Sequence, residues 1–350
     1  MSKNRVATTH ATRLLRGDTL QVLRTLPANS IQCCVTSPPY WGLRDYGTRG
    51  QIGLEPKPEE YVAKLVAVFR EARRVLRDDG TLWLNLGDSY GVPKSKDLVG
   101  IPWLVAFALR ADDWYLRQDI IWAKPNPMPE SVTDRCTKSH EYLFLLTKSQ
   151  RYYFDHEALK EIAVRGYAGS TFTKGKTYTH QEDRASKKDR EEYFATRHRR
   201  DVWTIATKPY KDAHFAVFPT SLVEPCILAG APARCCAVCG APYANEVQHT
   251  KAVIRKSART AQMGEQGRTR SGGTCLAPAV SEVTYSTTPT CRCTQYSVAA
   301  PVILDPFCGS GTVGAVAKKF GLRFIGIDLN PKYLALARRR INAAQRLAPQ

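Results

Sequence analysis

Short apolar runs alternate with amphipathic helical patterns along most of this chain, and this alternation restricts the fold more than any other feature. The runs end in turn residues and are typical of buried strands. They occupy residues 14–15, 31–35, 81–86, 118–122, 142–146, 302–304 and 324–327. Between them, apolar residues recur at three-to-four-residue spacing from Tyr61 to Leu76 and from Leu334 to Ala344. The pattern predicts an α/β fold with seven strands in a parallel, doubly wound sheet.

Two stretches interrupt this alternation. Residues 157–200 are dense in Lys, Arg, Gly and Tyr and have little apolar periodicity. Residues 231–300 contain most of the cysteines and a Gly-, Ser-, Thr- and Arg-rich span at 251–274. The first stretch predicts an exposed basic insertion, and the second predicts a small module with a flexible loop.

The charge of the chain is strongly positive. Lys and Arg number 51 against 32 Asp and Glu, which gives a formal net charge of +19 and favours a polyanionic partner. No apolar stretch is long enough to span a membrane, and residues 1–16 lack the apolar centre of a secretory signal. We therefore expect a cytoplasmic protein with no membrane partner.

A glycine-rich loop lies near the carboxyl end. The strand at 302–304 runs into Asp-Pro-Phe-Cys-Gly-Ser-Gly-Thr at 305–312, and a helix is predicted to begin at about Val313. Such a turn lets a ligand lie against bare backbone at a helix N-terminus. The next strand ends at Asp328, where a carboxylate can accept hydrogen bonds from ribose hydroxyls. The loop lacks the Gly-Lys-Ser/Thr ending of triphosphate sites, so a nucleoside cofactor without phosphates suits it better.

A second rigid turn follows the strand at 31–35, where the sequence reads Thr-Ser-Pro-Pro-Tyr-Trp at 36–41. Its two prolines fix the backbone and expose carbonyl groups at the end of a strand where open α/β sheets bind ligands. Exposed acceptors of this kind suit the exocyclic amine of a nucleobase, which is a poor nucleophile because its lone pair is shared with the ring. Ser37 and the Pro38 carbonyl are candidate acceptors for both amine hydrogens, and Tyr40 offers a face on which the base can stack.

Together, the two turns resemble the signature motifs of the DNA amino-methyltransferases that modify cytosine N4 or adenine N6. Their order is similar to that of the β-group of this family, which implies a Rossmann-like, circularly permuted, seven-stranded methyltransferase sheet. The resemblance implies S-adenosylmethionine as methyl donor and double-stranded DNA as substrate, with the target base flipped out of the helix. In this family Ser before Pro-Pro favours cytosine N4, and adenine N6 is the alternative.

The resemblance also assigns residues. The catalytic residues would be Ser37, Pro38, Pro39 and Tyr40. The cofactor would be bound by Asp18, Asp305, Phe307, Gly309, Gly311, Thr312 and Asp328. The helix that follows residues 218–225 would line the same pocket. DNA would be contacted by Trp41, Arg44, Arg197, Arg199 and Arg200. A companion restriction endonuclease and a homodimer are the further partners that we expect.

The cysteine-rich module departs from the common pattern of the family. Cys236 and Cys239 have the spacing of a zinc knuckle, and Cys291 and Cys293 supply two more thiolates for a tetrahedral structural zinc site. Cys235 is an alternative to Cys236, and reduced cysteines without metal are the alternative to zinc.

These features divide the chain into five parts. Residues 1–156 are the catalytic half, 157–210 a basic target-recognition insertion, 211–230 a helix returning to the core, 231–300 a zinc-ribbon-like insertion, and 301–350 the cofactor-binding half. Three other functions compete with amino methylation of DNA. They are a catalytically inactive sequence-specific DNA-binding protein, an amino-methyltransferase of RNA or protein, and a cytosine-C5 enzyme that would use the thiolate of Cys226 in the chain's Pro-Cys dipeptide.

Overall fold

The computed structural model describes residues 12–91, 96–162, 196–207, 218–249, 283–294 and 297–347. Most of the basic stretch at 157–200, the span at 251–274 and Cys275 lie outside these residues. The strands are β1 (Thr12–Arg16), β2 (Ile31–Thr36), β3 (Leu76–Leu86), β4 (Tyr115–Ala123), β5 (His140–Thr147), β6 (Glu161–Ile162), β7 (Thr196–Arg197), β8 (Val202–Thr204), β9 (Cys235–Cys236), β10 (Tyr243–His249), β11 (Val283–Pro289), β12 (Val298–Ala299), β13 (Val302–Asp305) and β14 (Arg323–Asp328). The α-helices are α1 (Thr19–Thr25), α2 (Pro58–Val75), α3 (Ile101–Ala111), α4 (Thr220–Gly230), α5 (Thr312–Lys319) and α6 (Pro331–Ala343), and a 3-10 turn covers Glu157–Leu159.

The central sheet contains all seven strands that the sequence predicts, in the order β1-β14-β13-β2-β3-β5-β4-β8. The sheet is mostly parallel, as predicted, and departs from that prediction at β5, which is antiparallel to both β3 and β4. Antiparallel neighbours need no crossover helix, so the loop between β4 and β5 joins them directly. The eighth strand, β8, pairs with β4 at the edge and is too short, at three residues, to give a periodic signal.

Helices cover both faces of the sheet, as the doubly wound prediction requires. One apolar cluster joins β2 and β3 to α1, α2 and α3, and a second joins them to α4, α5 and α6. Strand β2 is buried along its whole length because both of its faces are covered, which explains its continuous apolar sequence. Within the described ranges, no helix combines the length and apolar character needed to cross a membrane.

The strand register brings the two predicted turns together. Strands β13 and β2 pair in parallel, with Ile303 opposite Cys33 and Leu304 opposite Cys34. The glycine loop and the Ser-Pro-Pro-Tyr turn therefore leave the sheet side by side at its carboxyl edge. Thr36 Oγ1 donates a hydrogen bond to Asp305 Oδ1 at 2.7 Å, although the two residues lie 269 positions apart in the sequence.

The cysteine-rich module packs against the opposite, amino edge of the sheet. Gln32 Nε2 donates to the Gly240 carbonyl at 3.2 Å, while Gln32 Oε1 accepts from the Val302 amide at 2.7 Å. Arg77, at the start of β3, donates to the Cys239 carbonyl. Gln32 and Arg77 thus tie the module to the beginnings of β2 and β3, away from the edge that holds the two turns.

Candidate active site

A cavity of about 660 Å³ opens at the carboxyl edge of the sheet, and both predicted turns line it. Ser37, Pro38, Pro39 and Tyr40 form one part of its wall, and residues 306–310 and 312 form another. Its volume falls in the range of about 300–1,000 Å³ that is usual for small-molecule sites. The four predicted catalytic residues and five of the seven predicted cofactor residues therefore share one cavity, whereas Asp305 and Gly311 are not among its lining residues.

Asp328 lies at the wall of this cavity, and two backbone groups hold its carboxylate. Asp328 Oδ2 accepts from the Gly309 amide at 2.8 Å, and Oδ1 accepts from the Asn330 amide at 2.7 Å. Burial raises the pKa of this carboxyl group above its usual value. Each oxygen keeps a second lone pair, so the carboxylate can also accept hydrogen bonds from a bound ribose.

The glycine loop passes very close to helix α6. Gly311 has φ +80°, and a Cβ atom built on it would lie 2.8 Å from the Ala337 Cα. Thr312 is buried behind the loop, where its Oγ1 accepts from Arg340 Nη1 at 2.8 Å. The loop therefore needs glycine at position 311 both for its conformation and for its packing.

Two further predicted cofactor residues also line the cavity. The Phe307 ring meets the ring of Phe69 edge-on, with centroids 6.4 Å apart, so its position is fixed by the core. Asp18 caps helix α1 by accepting from the Gln21 amide at 3.0 Å. Phe218, just before helix α4, also lines the cavity.

Asp305 is placed differently from the expectation that it binds the cofactor directly. It is only 1% exposed, is absent from the cavity wall, and accepts from Thr36 Oγ1 and from the Phe307 amide through Oδ1. Its Oδ2 atom has no hydrogen-bond partner among the residues that the structure describes. Burial raises the pKa of Asp305 to about 7. Asp305 therefore braces the glycine loop against the Ser-Pro-Pro-Tyr turn from beneath.

The raised pKa of Asp305 predicts a pH-dependent stability without ligand. The folded state retains the proton up to about pH 7, while the unfolded state loses it near the usual value of 3.8. The free energy of unfolding should therefore fall by roughly 1–4 kcal/mol as pH rises through this window. Urea unfolding across the window should show this fall in the wild type and not in Asp305→Asn. An equal fall in both proteins would contradict the assignment.

Buried hydrogen bonds hold the Ser-Pro-Pro-Tyr turn in place. The Ser37 hydroxyl donates to Tyr40 Oη at 3.3 Å, and the Tyr40 hydroxyl donates to Glu141 Oε2 at 2.6 Å. The Pro39 carbonyl accepts from Tyr61 Oη at 2.8 Å. Burial and the negative charge of Glu141 raise the pKa of Tyr40 well above 10. Tyr40 therefore remains protonated, and its hydroxyl has a fixed partner in addition to any stacking role of its ring.

Three polar residues behind Tyr40 are not among the site residues that the sequence predicts. Asn85 and Glu141 contact the Tyr40 hydroxyl, and Lys124 forms an ion pair with Glu141; all three line the cavity. Asn85 interrupts the apolar run of β3, and Glu141 lies just before that of β5. A polar residue at a buried strand position was the signal that could have revealed them.

Two predicted DNA contacts have clear positions. Trp41 is 5% exposed and its Nε1 donates to the Glu55 carbonyl at 2.8 Å, so its indole lies in the core. Its role as a DNA contact stays a prediction. Arg44 does line the cavity, where it donates a hydrogen bond to Tyr46. The Tyr46 ring meets the Tyr333 ring edge-on at 6.2 Å, and Asp328 is close to both rings. Arg44 therefore lies on the Asp328 side of the cavity.

The three predicted arginine contacts near residue 200 lie outside the cavity wall. Arg197 forms an ion pair with Glu161 at 2.9 Å, and Arg200 approaches the same carboxylate at 3.8 Å. Arg199 lies over the Trp203 ring, 4.2 Å from its centroid. Their role in DNA binding stays a prediction.

Four cysteine sulfurs converge in the module at the amino edge. The Sγ atoms of Cys236, Cys239, Cys291 and Cys293 lie within 4.8 Å of one another. Cys235 points elsewhere, since its Sγ donates to the Ala299 carbonyl at 3.2 Å. Hydrogen bonding from the Cys239 backbone lowers the pKa of Cys236 to about 7, and hydrogen bonds with the neighbouring sulfurs raise the pKa of Cys293 to about 12. The set fits a tetrahedral zinc ion, whose sulfur ligands lie at ~2.3 Å from the metal.

Cys226, the nucleophile that a cytosine-C5 enzyme would need, is buried in helix α4. It is 0% exposed, its Sγ donates to the Leu222 carbonyl at 3.1 Å, and it does not line the cavity. Burial raises the pKa of this thiol well above 9. The geometry therefore removes the cytosine-C5 alternative.

Comparison with known proteins gives a consistent picture. A family model described as DNA methylase, of the N6/N4 type, matches residues 31–234 and 294–339. Type II methyltransferase M.Cfr9I from Citrobacter freundii is 39% identical over 94% of this chain and 87% of its own length. Type II methyltransferase M.SmaI from Serratia marcescens is 36% identical over 94% of this chain and 90% of its own length.

Solved structures share the fold. The PvuII DNA methyltransferase (cytosine-N4-specific) superposes with a TM-score of 0.57 at 16% identity, covering 96% of this chain and 88% of that chain. A DNA modification methylase from Thermus thermophilus, complexed with S-adenosyl-L-methionine, gives a TM-score of 0.51 at 21% identity, covering 95% of this chain and 93% of that chain.

Proposed function

This chain belongs to the DNA methylase family of N6/N4 amino-methyltransferases, and we propose that it methylates N4 of a cytosine flipped out of double-stranded DNA. It is thus an S-adenosylmethionine-dependent DNA methyltransferase. The observation that carries the proposal is the single cavity lined by both turns. The choice of cytosine follows from Ser37, since serine before Pro-Pro favours cytosine in the family that the sequence resembles.

We propose that the cofactor lies along the glycine loop. Asp328 would accept the ribose hydroxyls, while Asp18 and the Phe307 ring would border the rest of the molecule. The backbone of the glycine loop is kept close to the cavity wall by Gly309, Gly311 and Thr312. The bound cofactor supplies a methyl group on a sulfonium, which is electrophilic and cationic. The carboxylates of Asp18 and Asp328 suit a cation, and the glycine loop at 305–312 lacks the Gly-Lys-Ser/Thr ending of triphosphate sites.

We propose that the target amine lies against Ser37 and Pro38. Ser37 Oγ and the Pro38 carbonyl would each accept one amine hydrogen, which favours a tetrahedral nitrogen with a free lone pair. The Pro39 carbonyl accepts a hydrogen bond from Tyr61 Oη, which holds the turn in place. Holding the amine and the methyl group in line can supply roughly 7–11 kcal/mol of the barrier.

The positive charge supports binding to the DNA backbone. The net charge of +19 provides phosphate contacts that offset the cost of flipping the base. We propose that four arginines contribute to these contacts: Arg44, Arg197, Arg199 and Arg200. The last three belong to the proposed target-recognition insertion at residues 157–210.

Because the relatives are named Type II methyltransferases, we also propose a companion restriction endonuclease. The homodimer stays a prediction.

A labelled-methyl transfer assay tests this function. Genomic DNA lacking the modification is incubated with the protein and labelled S-adenosylmethionine, digested to nucleosides and resolved by mass spectrometry. We expect N4-methylcytosine. N6-methyladenine would show that the target base is adenine, and the protein would still be a DNA amino-methyltransferase. Label on RNA alone would overturn DNA as the substrate, and no label on either nucleic acid would favour the inactive DNA-binding protein.

We propose that Cys236, Cys239, Cys291 and Cys293 hold a structural zinc ion in a zinc-ribbon-like insertion at residues 231–300. A closed four-sulfur site leaves no position for substrate, and the cluster lies at the amino edge of the sheet.

Replacing Cys239 with serine is expected to remove the metal and to destabilise the module. Elemental analysis of the purified wild type should give about one zinc per chain. Cys239→Ser should fall well below that and should unfold at a lower temperature. The exposed Cys136 lies outside the cluster, so Cys136→Ser is the matched control and should keep its zinc. A wild type without zinc would contradict the proposal.

A further inference from the structure

Five side chains form a connected network that begins in the Ser-Pro-Pro-Tyr turn and continues behind it. Tyr40 Oη donates to Glu141 Oε2 at 2.6 Å, and Asn85 Nδ2 lies 2.7 Å from Tyr40 Oη and 2.8 Å from Glu141 Oε2. Lys124 Nζ forms an ion pair with Glu141 Oε1. Ser37 Oγ lies 3.3 Å from Tyr40 Oη and completes the chain toward the cavity.

The donor and acceptor capacities of these groups fix the direction of every bond in the network. Glu141 faces the Lys124 ammonium, and an ionised carboxylate can only accept. Tyr40 must therefore donate its single proton to Glu141. The amide of Asn85 must also turn its NH₂ group toward the carboxylate, because its oxygen would be repelled there. Tyr40 Oη is then left with acceptor capacity only.

The consequence reaches the reacting group. Since Tyr40 Oη can only accept from Ser37, the Ser37 hydroxyl proton is committed to Tyr40. The lone pairs of Ser37 Oγ are then free to face the cavity. A serine in this state is an acceptor for an amine, whereas the opposite orientation would place its proton against the amine hydrogens.

We propose that Glu141 is a positioning residue that fixes the Ser37 hydroxyl as an acceptor and receives, through Tyr40, the proton that the target amine releases. This inference rests on the proposed methylation of an exocyclic amine, and it applies equally to cytosine and adenine.

The transfer balances in atoms and charge. The nitrogen lone pair forms the new N–C bond, and the S–C bond breaks with its electron pair remaining on sulfur. The amine proton passes to Ser37 Oγ, the proton of Ser37 passes to Tyr40, and the proton of Tyr40 passes to Glu141. The sulfonium loses its positive charge and Glu141 loses its negative charge. Burial and the charge of Glu141 raise the pKa of Tyr40, so Tyr40 gives up its proton only as it receives another.

The burial of this network supports a functional role. Asn85 is 1% exposed one residue before the end of β3, and the side chain of Glu141 is 15% exposed at the start of β5. Placing an amide and a carboxylate here opposes folding unless each is paired. Asn85 Nδ2 and both Glu141 oxygens have partners, whereas Asn85 Oδ1 has none among the described residues. The sheet tolerates them at the point where they contact Tyr40, and apolar residues occupy the following positions of β5 from Leu143 to Leu146.

A double-mutant cycle between Glu141 and Tyr40 tests the relay. In Glu141→Gln the new amide can donate to Tyr40, which reverses the polarity of the chain. We expect kcat to fall by about 10²-fold, while KM for DNA and Kd for S-adenosylmethionine stay within about twofold. Tyr40→Phe removes the middle of the chain and should reduce kcat comparably. Glu141→Gln added to Tyr40→Phe should then change kcat by less than about threefold, because residues that act as one unit are not additive.

The control is Glu71→Gln, which changes a partly buried ion pair with Arg74 on helix α2, outside the cavity wall, and should leave kcat unchanged. The relay would be overturned if Glu141→Gln lowered kcat by the same factor in the wild-type and Tyr40→Phe backgrounds. It would also be overturned if Glu141→Gln raised KM for DNA or Kd for S-adenosylmethionine and left kcat unchanged. An active wild type with an equally active Glu141→Gln variant would overturn this inference alone. A wild type that transfers no methyl group to any nucleic acid would overturn the proposed function and this inference together.

Discussion

Replacing Ser37 with alanine is expected to lower kcat for methyl transfer by about 10²- to 10³-fold, comparable to the loss of one hydrogen-bonding group that acts in a transition state. Alanine removes one of the two acceptors that favour a tetrahedral amine nitrogen. It also ends the path from the cavity to Tyr40. The Kd for S-adenosylmethionine should stay within about twofold, because Asp328 and the glycine loop do not depend on Ser37. Single-turnover transfer of labelled methyl groups measures the rate, and calorimetry measures the cofactor affinity.

The matched control for this substitution is Ser30→Ala. Ser30 lies at the opposite end of the same strand, where its exposed hydroxyl donates to the Pro27 carbonyl at 2.7 Å. Its loss should leave kcat unchanged. If Ser37→Ala retained a third or more of the wild-type rate, the amine would have to be held by the backbone alone, and the role of Ser37 would be rejected.

The sequence was sufficient to predict the parts of this fold that depend on local patterns. The seven strands and the helices near residues 61–76 and 334–344 follow from apolar spacing, because burial on one or both faces leaves a periodic signature. The two ligand-binding turns follow from Pro and Gly, whose backbone restrictions are visible in single residues. Since parallel strands expose their carboxyl ends at one edge, the meeting of the two turns could also be expected.

The remaining features depend on contacts between distant segments. Trp41 follows the catalytic turn in sequence, but the fold rotates its indole into the core against Glu55. Asp305 belongs to the glycine loop, yet its side chain turns beneath the loop toward Thr36. The antiparallel direction of β5 depends on pairing with β3 and β4. None of these contacts leaves a period in the sequence, so pattern analysis could not predict them.

The two edges of the sheet have different tasks. The carboxyl edge holds the cavity, where polar groups are placed for chemistry, and the amino edge holds the cysteine cluster through Gln32 and Arg77. Removal of the proposed zinc ion should therefore lower stability before it alters the cavity. The described part of the cysteine-rich module lies away from the two turns.

Replacing Asp328 with alanine is expected to raise the Kd for S-adenosylmethionine by about 10²-fold. The carboxylate would accept two ribose hydroxyls, and hydrogen bonds to a charged group contribute about 1.5–3 kcal/mol each, with about 1.4 kcal/mol per tenfold in affinity. Its loss also frees the Gly309 and Asn330 amides that it now holds at 2.8 Å and 2.7 Å, so the loop becomes less ordered. At saturating cofactor kcat should recover to within a few-fold of the wild-type value, in contrast to Ser37→Ala.

Calorimetric titration measures the affinity for S-adenosylmethionine. The control is Asp112→Ala, which breaks a surface ion pair with Arg70. An unchanged Kd would mean that the carboxylate serves only the backbone of the loop, and the ribose would then have to be held elsewhere in the cavity.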